Sequence, residues 1–224
     1  MGNSEMQIIR WGIPGWITVF TYSVLVLSIN DYDIYRYANE NNLNGVYLAG
    51  LAGLFVAAGV PLGYLVYQIY FSFKWRFMEN DKISKALEGL KLFDDLQLKE
   101  NPRNDWKKAE LAFDAYLTIF LPEEVNYDDV MRRYNSLKSR TDRVHGLGAT
   151  IWGISLSYIG FIVVHVFIYQ IPVYLNIIFI VSSLLLLGLW LILLKNYKNS
   201  NDDSFDQMKG IMYDIEYRWR NKKK

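Results

Sequence analysis

Four long stretches of this sequence contain no aspartate, glutamate, lysine or arginine. They are Trp11–Ile29, Val46–Phe73, Leu147–Ile168 and Val173–Leu194, and the shortest of them has 19 residues. Uncharged apolar runs of about 18 residues or more are typical of transmembrane helices, because that length crosses the ~30 Å hydrocarbon core. A single soluble core is therefore excluded. The sequence predicts an all-α integral membrane protein with four transmembrane helices.

The basic residues lie almost entirely on one side of the predicted membrane. The 224-residue chain has 24 Lys and Arg against 23 Asp and Glu; segment 74–146 carries 14 of the basic residues and segment 195–224 carries 8. Segment 30–45 carries only Arg36. Because segments rich in Lys and Arg stay on the cytoplasmic side, we expect both termini and the central segment to face the cytoplasm. The expected location is the inner (plasma) membrane.

This topology divides the chain into four regions. Residues 1–73 form a first transmembrane pair, with helices over 11–29 and 46–73. A helical cytoplasmic insert, residues 74–146, follows, and its helices are predicted from apolar spacing such as that in 81–98. The last two regions are a second transmembrane hairpin, residues 147–194, with helices over 147–168 and 173–194, and an amphipathic C-terminal helix with a basic end, residues 195–224.

Apolar residues near the end of the insert recur at alternating steps of four and three. This heptad seam continues without a break into the third membrane helix and consists of Val130, Tyr134, Leu137, Thr141, Val144, Gly148 and Ile151. A similar spacing in the tail joins Phe205, Met208, Met212, Ile215 and Trp219. Ser204 and Gln207 have the spacing of a capping box, which predicts that the tail helix begins there. Together the insert and the tail are expected to form a helical cytoplasmic domain.

Small residues recur along the second membrane helix. They are Ala49, Gly53, Ala57, Gly59 and Gly63. Small side chains let helix backbones approach closely in lipid, where hydrophobicity gives no net drive for association. The set predicts either a subunit interface or pore-lining face, or plain packing within one subunit.

A polar stripe on the first membrane helix is the candidate pore lining. It consists of Thr18, Thr21, Tyr22, Leu25 and Ser28. Hydroxyls among apolar neighbours can line a narrow pore gated by dewetting, but they also simply bond their own helix. His165 is the one histidine in the spans, and a structural hydrogen bond to Asn176 is favoured over a proton relay.

Basic and aromatic residues cluster at the cytoplasmic ends of the spans. The basic candidates are Arg132, Arg133, Arg140, Arg143, Arg218 and Arg220. Such residues usually anchor helices against anionic headgroups, and an anionic ligand such as a nucleotide or oligonucleotide is the alternative. The aromatics, interpreted as a membrane belt, are Tyr64, Tyr67, Tyr70, Phe71 and Trp75.

The amino-acid composition argues against most kinds of catalysis, metal binding and ion-coupled transport. The chain has no cysteine and only two histidines, so thiol catalysis and a multi-histidine metal centre are excluded. The segment His145-Gly-Leu-Gly148 is not a phosphate-binding loop, since no strand precedes it. The spans contain no carboxylate or lysine, which argues against ion-coupled transport. We expect no enzyme activity, no cofactor and no metal.

Two segments have the look of motifs, Trp11-Gly-Ile-Pro-Gly-Trp16 and Asp142-Arg-Val-His-Gly-Leu-Gly-Ala-Thr150. Across the whole chain, the combination of four membrane helices, a helical insert and no catalytic motif resembles the membrane effector subunits of prokaryotic antiphage systems such as Hailong and Kiwa. The resemblance lies in architecture and carries over no functional residue. It implies a homo-oligomeric channel or pore that depolarises the cell when a cytoplasmic ligand or partner protein binds. The alternative is a non-conducting scaffold that recruits a cytoplasmic partner.

Overall fold

The computed structural model describes residues 3–29, 45–77, 127–168 and 177–222, all of which are helical. The helices are α1 (Asn3–Ile29), α2 (Gly45–Phe77), α3 (Tyr127–Phe161) and α4 (Ile177–Lys222). A π-helical segment, Ile162–Ile168, continues α3. The remainder of the predicted insert, including the helix expected over 81–98, lies outside the described residues.

Each of the four helices contains a stretch long and apolar enough to cross a membrane. These stretches are Trp11–Ser28, Ala52–Lys74, Met131–His165 and Ile177–Asp214. The predicted class, an all-α protein with four helices of membrane-spanning length, is thereby confirmed. The helices extend beyond the uncharged stretches because an α-helix does not end where hydrocarbon ends: α1 begins at Asn3 rather than Trp11.

Helix α4 shows that the predicted start of a separate tail helix is wrong. The helix runs from Ile177 to Lys222 without interruption. At the predicted cap, the Ser204 hydroxyl donates to the carbonyl oxygen of Ser200 at 2.8 Å, a bond within a continuing helix. Serine hydroxyls can bond the carbonyl four residues back as readily as they cap a helix. The capping-box spacing therefore did not mark a helix end here.

The chain packs as two compact units. Unit 1 comprises Met1–Tyr70 and His145–Tyr197, and unit 2 comprises Phe71–Val144 and Lys198–Lys224. Among the described residues, unit 1 contains α1 and most of α2, together with the later part of α3 and the earlier part of α4.

In unit 1, α1 and α2 meet backbone to backbone at glycines. A Cβ added to Gly15 would overlap the carbonyl oxygen of Gly59, and one added to Gly63 would overlap the carbonyl oxygen of Trp11. The indole of Trp16 lies against Gly59, and its Nε1 donates to the carbonyl oxygen of Val56 at 3.0 Å. Such an approach gains van der Waals contact that larger residues would prevent, and this contact holds helices together in lipid.

Helix α3 is bonded to the helices on both sides. The Ser157 hydroxyl lies 2.7 Å from the carbonyl oxygen of Thr18 on α1, to which it donates. On the other side, the Trp190 indole of α4 donates to the Ser155 hydroxyl at 3.2 Å. Hydrogen bonds between membrane helices contribute about 0.6 kcal/mol each on average.

An apolar cluster completes the interior of unit 1. It joins Leu25 of α1, Phe161 of α3 and Leu186 of α4, all buried. Phe179 packs against the cluster, and its ring lies 5.9 Å from that of Phe161. Three helices thus share one contact region.

In unit 2, α3 and α4 contribute two buried rows. Leu137 and Val144 of the predicted α3 seam are buried and Tyr134 is half-buried, whereas the side chain of Val130 lies outside the described ones. In the tail, the predicted Met208 and Met212 are buried, but Phe205 is only half-buried. The buried row also contains Asn201, Ser204, Ile211 and Glu216. The tail helix is therefore rotated relative to its predicted seam.

Arg133 of α3 makes two direct contacts with α4 in unit 2. Its guanidinium pairs with the carboxylate of Asp214 at 3.6 Å, and its carbonyl oxygen accepts a hydrogen bond from the Gln207 amide at 3.5 Å. The Arg133 side chain is half exposed, and exposed ion pairs contribute about 1 kcal/mol or less. The buried rows, rather than this pair, supply most of the stabilisation.

We expect Gly63→Ala to lower the stability of the protein by about 1–3 kcal/mol, because its new methyl group would collide with the Trp11 backbone. Gly188→Ala on α4 is the matched control, since a Cβ there meets no atom within 4 Å. The control should be neutral or should gain up to about 1 kcal/mol of helix propensity. Thermal unfolding in detergent measures both; equal melting temperatures would refute the close approach of α1 and α2.

We expect Leu137→Asp to destabilise unit 2 by about 3 kcal/mol or more, since it removes a buried side chain and introduces a carboxylate that burial would desolvate. Ser136→Asp adds the same carboxylate at an exposed neighbouring position and should change stability by less than about 0.5 kcal/mol. The check is the thermal unfolding transition of each variant. Equal melting temperatures for Leu137→Asp and Ser136→Asp would show that the α3 seam does not pack as described.

Candidate functional site

The predicted pore stripe of α1 lies inside unit 1. Thr18, Thr21, Leu25 and Ser28 are buried, and Tyr22 is half-buried. Leu25 belongs to the apolar cluster with Phe161 and Leu186. A pore formed between copies of the chain would not be lined by this stripe, because the stripe is covered by its own protomer.

The hydroxyls of the stripe differ in their bonding. Thr18 Oγ1 donates to the carbonyl oxygen of Pro14 at 2.7 Å, and Ser28 Oγ donates to that of Leu25 at 2.8 Å. Thr21 is fully buried, and its Oγ1 has no hydrogen-bond partner among the described residues. A buried hydroxyl of this kind is commonly satisfied by an ordered water. Thr21 is therefore the hydroxyl of the stripe best placed to hold a small polar molecule.

His165 lies in the π-helical segment and is buried. Its ring stacks on Phe161 with centroids 4.8 Å apart, and the ring of Tyr22 lies 6.1 Å away. Asn176, its predicted hydrogen-bond partner, lies outside the described residues. The described surroundings of the imidazole are thus aromatic, which restricts its orientation.

A buried cluster of tyrosines and a histidine lies at the other end of unit 1. The Tyr70 hydroxyl is 3.3 Å from Nδ1 of His145 and 3.5 Å from the hydroxyl of Tyr197. Tyr67 packs edge-on against Tyr70 with centroids 6.5 Å apart. Tyr67 and Tyr70 are 2% and 1% exposed, so their interpretation as membrane-belt residues is wrong. The contacts of the Tyr70 hydroxyl with the His145 imidazole and the Tyr197 hydroxyl thus connect α2 to both α3 and α4.

Two glycines of α3 face this cluster, and one of them, Gly148, makes room for the Tyr70 ring. A Cβ on Gly148 would overlap the Tyr70 ring, and one on Gly146 would lie 3.6 Å from the Tyr67 hydroxyl. These are the glycines of the His145-Gly-Leu-Gly148 segment, which was rejected as a phosphate loop. In the sequence, the available signal for this cluster was a pair of glycines two residues apart on α3 and a pair of tyrosines three residues apart on α2. The sequence alone does not show that α2 and α3 are adjacent, so it could not match the two pairs.

The predicted small-residue set of α2 divides between two faces. Gly59 and Gly63 are buried against α1, whereas Ala49, Gly53 and Ala57 are exposed. A Cβ added to Gly53 would meet no atom within 4 Å. The set therefore combines packing within the protomer with a small-residue face that the protomer leaves open.

The basic candidates of α3 are all on the surface. Arg132, Arg133, Arg140 and Arg143 are exposed. The side chains of Arg218 and Arg220 lie outside the described ones. The exposed guanidinium groups can bind carboxylates or phosphates.

An open cavity of about 570 Å³ lies between α3 and α4 in unit 1. Its wall is almost entirely apolar and includes Ile154, Phe179, Leu184 and Leu187. Its volume is in the range of small-molecule pockets. Four further lining residues add polar groups to this mostly apolar wall: Ser155, Tyr158, Ser183 and Trp190.

No family model, curated protein or solved structure matches the chain.

We expect Tyr70→Phe to destabilise unit 1 by about 1 kcal/mol, because the hydroxyl that reaches His145 and Tyr197 would be lost from a buried cluster. Tyr64→Phe is the matched control, since Tyr64 is 46% exposed and its loss of a hydroxyl should be nearly neutral. Thermal unfolding in detergent gives both values. A Tyr70→Phe protein as stable as the Tyr64→Phe protein would show that the polar contacts contribute nothing.

Proposed function

We propose that the chain is the subunit of an oligomeric channel of the inner (plasma) membrane, with both termini and unit 2 in the cytoplasm. A cytoplasmic ligand, such as a nucleotide or oligonucleotide, or a partner protein opens it. The architectural resemblance to antiphage membrane effectors suggests membrane depolarisation as its role. Its other partners are the bilayer and further copies of the chain, and it needs no cofactor.

The observation that carries this proposal is the outward face of α2. Small and polar residues recur along it at steps of three and four, and all are exposed: Gly50, Gly53, Ala57, Pro61, Tyr64 and Gln68. With 3.6 residues per turn, the centre of this face lies about 140° around α2 from Gly59 and Gly63, which are buried against α1. Tyr64 of this row also packs edge-on against Trp11 of α1, with ring centroids 5.6 Å apart. It lies largely within the membrane-spanning stretch Ala52–Lys74.

Such a face differs from one adapted to lipid. The exposed face of α4 in the span consists of large aliphatic side chains such as Ile177, Leu185 and Ile192, which are 79%, 70% and 60% exposed. On α2, aliphatic residues such as Leu54 only flank the small and polar row. Small residues favour close contact with another helix, and polar groups favour water or protein over hydrocarbon. Contact between the α2 helices of neighbouring copies, with a polar path beside that contact, satisfies both of these preferences.

The buried α1 stripe supports the same assignment by elimination. Because Thr18, Thr21 and Ser28 are covered within the protomer, a path between copies is lined by α2 instead. The Thr18 hydroxyl then acts in packing, since it donates to the carbonyl oxygen of Pro14 at 2.7 Å and lies against Gly153 of α3.

Helix α3 supplies a connection for gating. It is continuous from Tyr127 to Phe161, and it contributes residues to both compact units. A ligand that binds one arrangement of unit 2 more tightly than another shifts the population toward that arrangement. The helix that carries Leu137 and Val144 in unit 2 is the same helix that carries Ser157 in the span, so a rearrangement acts on both.

The test is ion flux through liposomes containing the purified protein, with and without cytoplasmic extract or candidate nucleotides, together with the subunit count in mild detergent. The proposal expects a cyclic oligomer and a ligand-dependent flux. A monomer, or an oligomer that is impermeable under every condition tried, would overturn it.

We expect Gly53→Leu to dissociate the oligomer, because bulk would be added where two α2 helices approach. Gly188→Leu makes the same change at a position on α4 that likewise has no atom within 4 Å, and it should leave assembly intact. Size-exclusion chromatography with light scattering measures both. Equal subunit counts for the two variants would exclude α2 as the interface.

A non-conducting scaffold is the second candidate, and the exposed aromatic residues of the tail favour it. Tyr213 and Tyr217 are 49% and 68% exposed, and the ammonium of Lys209 lies 5.8 Å from the Tyr213 ring centroid. Exposed tyrosines are enriched where proteins bind one another. Loss of a captured cytoplasmic partner on Tyr217→Ala, in a protein that never conducts, would establish the scaffold.

A further inference from the structure

We propose that copies of this chain bind one another head to tail through oppositely charged faces of unit 2. The acidic face of α4, formed by Asp202, Asp203 and Asp206, docks on the arginine face of α3, formed by Arg140 and Arg143, in the next copy. The inference rests on the proposed oligomer and identifies the surface that sets its arrangement.

Both faces are on the surface of the protomer. All five side chains are exposed. On α4, Asp202 and Asp206 each stand two residues before a buried residue, Ser204 and Met208. Two residues correspond to about 200° of rotation around an α-helix, so the acidic face points away from the buried row and outward from unit 2.

The two faces lie at the same height along the helix pair. Contacts with α4 are made by residues 133, 155 and 158 of α3, and their partners on α4 are residues 207, 190 and 183. The two helices are therefore antiparallel, and residue 133 is level with the stretch 207–214, since its guanidinium also pairs with Asp214. Moving seven residues along α3 reaches Arg140, and the same rise of about 10 Å on α4 leads back to Asp203. Copies related by rotation about one axis meet at equal height, so the acidic face of one can reach the arginine face of the next. Repeated head-to-tail contacts of this kind form a ring when the rotation between neighbouring copies divides a full turn.

A second copy fits these faces better than a lipid surface does. An anionic bilayer attracts Arg140 and Arg143, but it repels the aspartates that lie at the same height. A neighbouring copy offers each face its complement. Each exposed pair contributes about 1 kcal/mol or less, so the faces determine which neighbours meet and in which orientation, while the membrane helices supply most of the association energy.

Cross-linking can test this arrangement cleanly, because the chain contains no cysteine. Two differently tagged full-length copies, one with Arg140→Cys and one with Asp203→Cys, are co-expressed and treated in membranes with a short bis-maleimide. We expect cross-linked dimers that carry both tags. Copies that all carry Arg140→Cys, or all carry Asp203→Cys, should cross-link at least ten-fold less. Preferential cross-linking of like positions would indicate a two-fold interface and overturn the proposal.

Charge reversal gives an independent readout. Arg140→Asp should reduce oligomer affinity by up to about five-fold, on the scale of one exposed ion pair, and Arg140→Asp combined with Asp203→Arg should restore it. Lys138→Asp is the matched control, since Lys138 is exposed but lies about 160° around the helix from Arg140. The Lys138→Asp protein should form the oligomer with unchanged affinity. Failure of the double reversal to restore assembly would contradict the pairing.

The outcomes separate this inference from the proposed function. An intact, conducting oligomer that shows no cross-link between positions 140 and 203 refutes the charged interface and leaves the channel standing. A protein that is monomeric in nanodiscs refutes both. If Arg140→Asp abolishes binding to phosphatidylserine vesicles but leaves the oligomer intact, the arginine face binds lipid, and the inference is overturned.

Discussion

The packing of unit 1 depends on one close approach, that of the α1 and α2 backbones at Gly15, Gly59 and Gly63. In lipid, apolar side chains gain nothing by leaving the solvent, so helices associate where their surfaces fit most closely. The absence of three side chains creates that fit, and Trp16 fills the space beside it with a hydrogen bond to the α2 backbone. Once α1 is held there, its other side is covered by α3 through the bond from Ser157 to Thr18.

Those features that depend on local chemistry could be predicted from the sequence. The four uncharged stretches predicted the four helices of membrane-spanning length. The recurrence of apolar residues at steps of three and four predicted that Leu137 and Val144 share a buried row. Features that depend on neighbours could not. Gly53 and Gly63 look alike in sequence, yet Gly63 is buried against Trp11 and Gly53 faces outward. Likewise, Tyr70 resembles a membrane-interface residue until Gly148 and His145 are known to face it.

The surface of the protomer is divided by residue type, and this division carries the functional argument. Large aliphatic side chains cover the exposed part of α4 in the span, small and polar ones form a row on α2, and charges of opposite sign occupy α3 and α4 in unit 2. Each kind of surface suits a different neighbour. Large aliphatic side chains suit lipid acyl chains, the small and polar row suits another helix backbone or a polar path, and the charges suit a protein face of opposite charge. In the proposed oligomer, a neighbouring copy of the chain would supply the last two kinds of neighbour.

The π-helical segment Ile162–Ile168 has a geometric consequence for the end of α3. Its N–H groups bond carbonyls five residues back instead of four, so this segment holds more residues per turn than the helix before it. Conversion of one such turn to α-helix would advance the chain beyond it by about 1.5 Å and twist it by about 100°. His165 lies in the middle of the segment, stacked on Phe161. Because such a change in winding would alter the spacing of Phe161 and His165 along the helix, it would disturb their stacking contact.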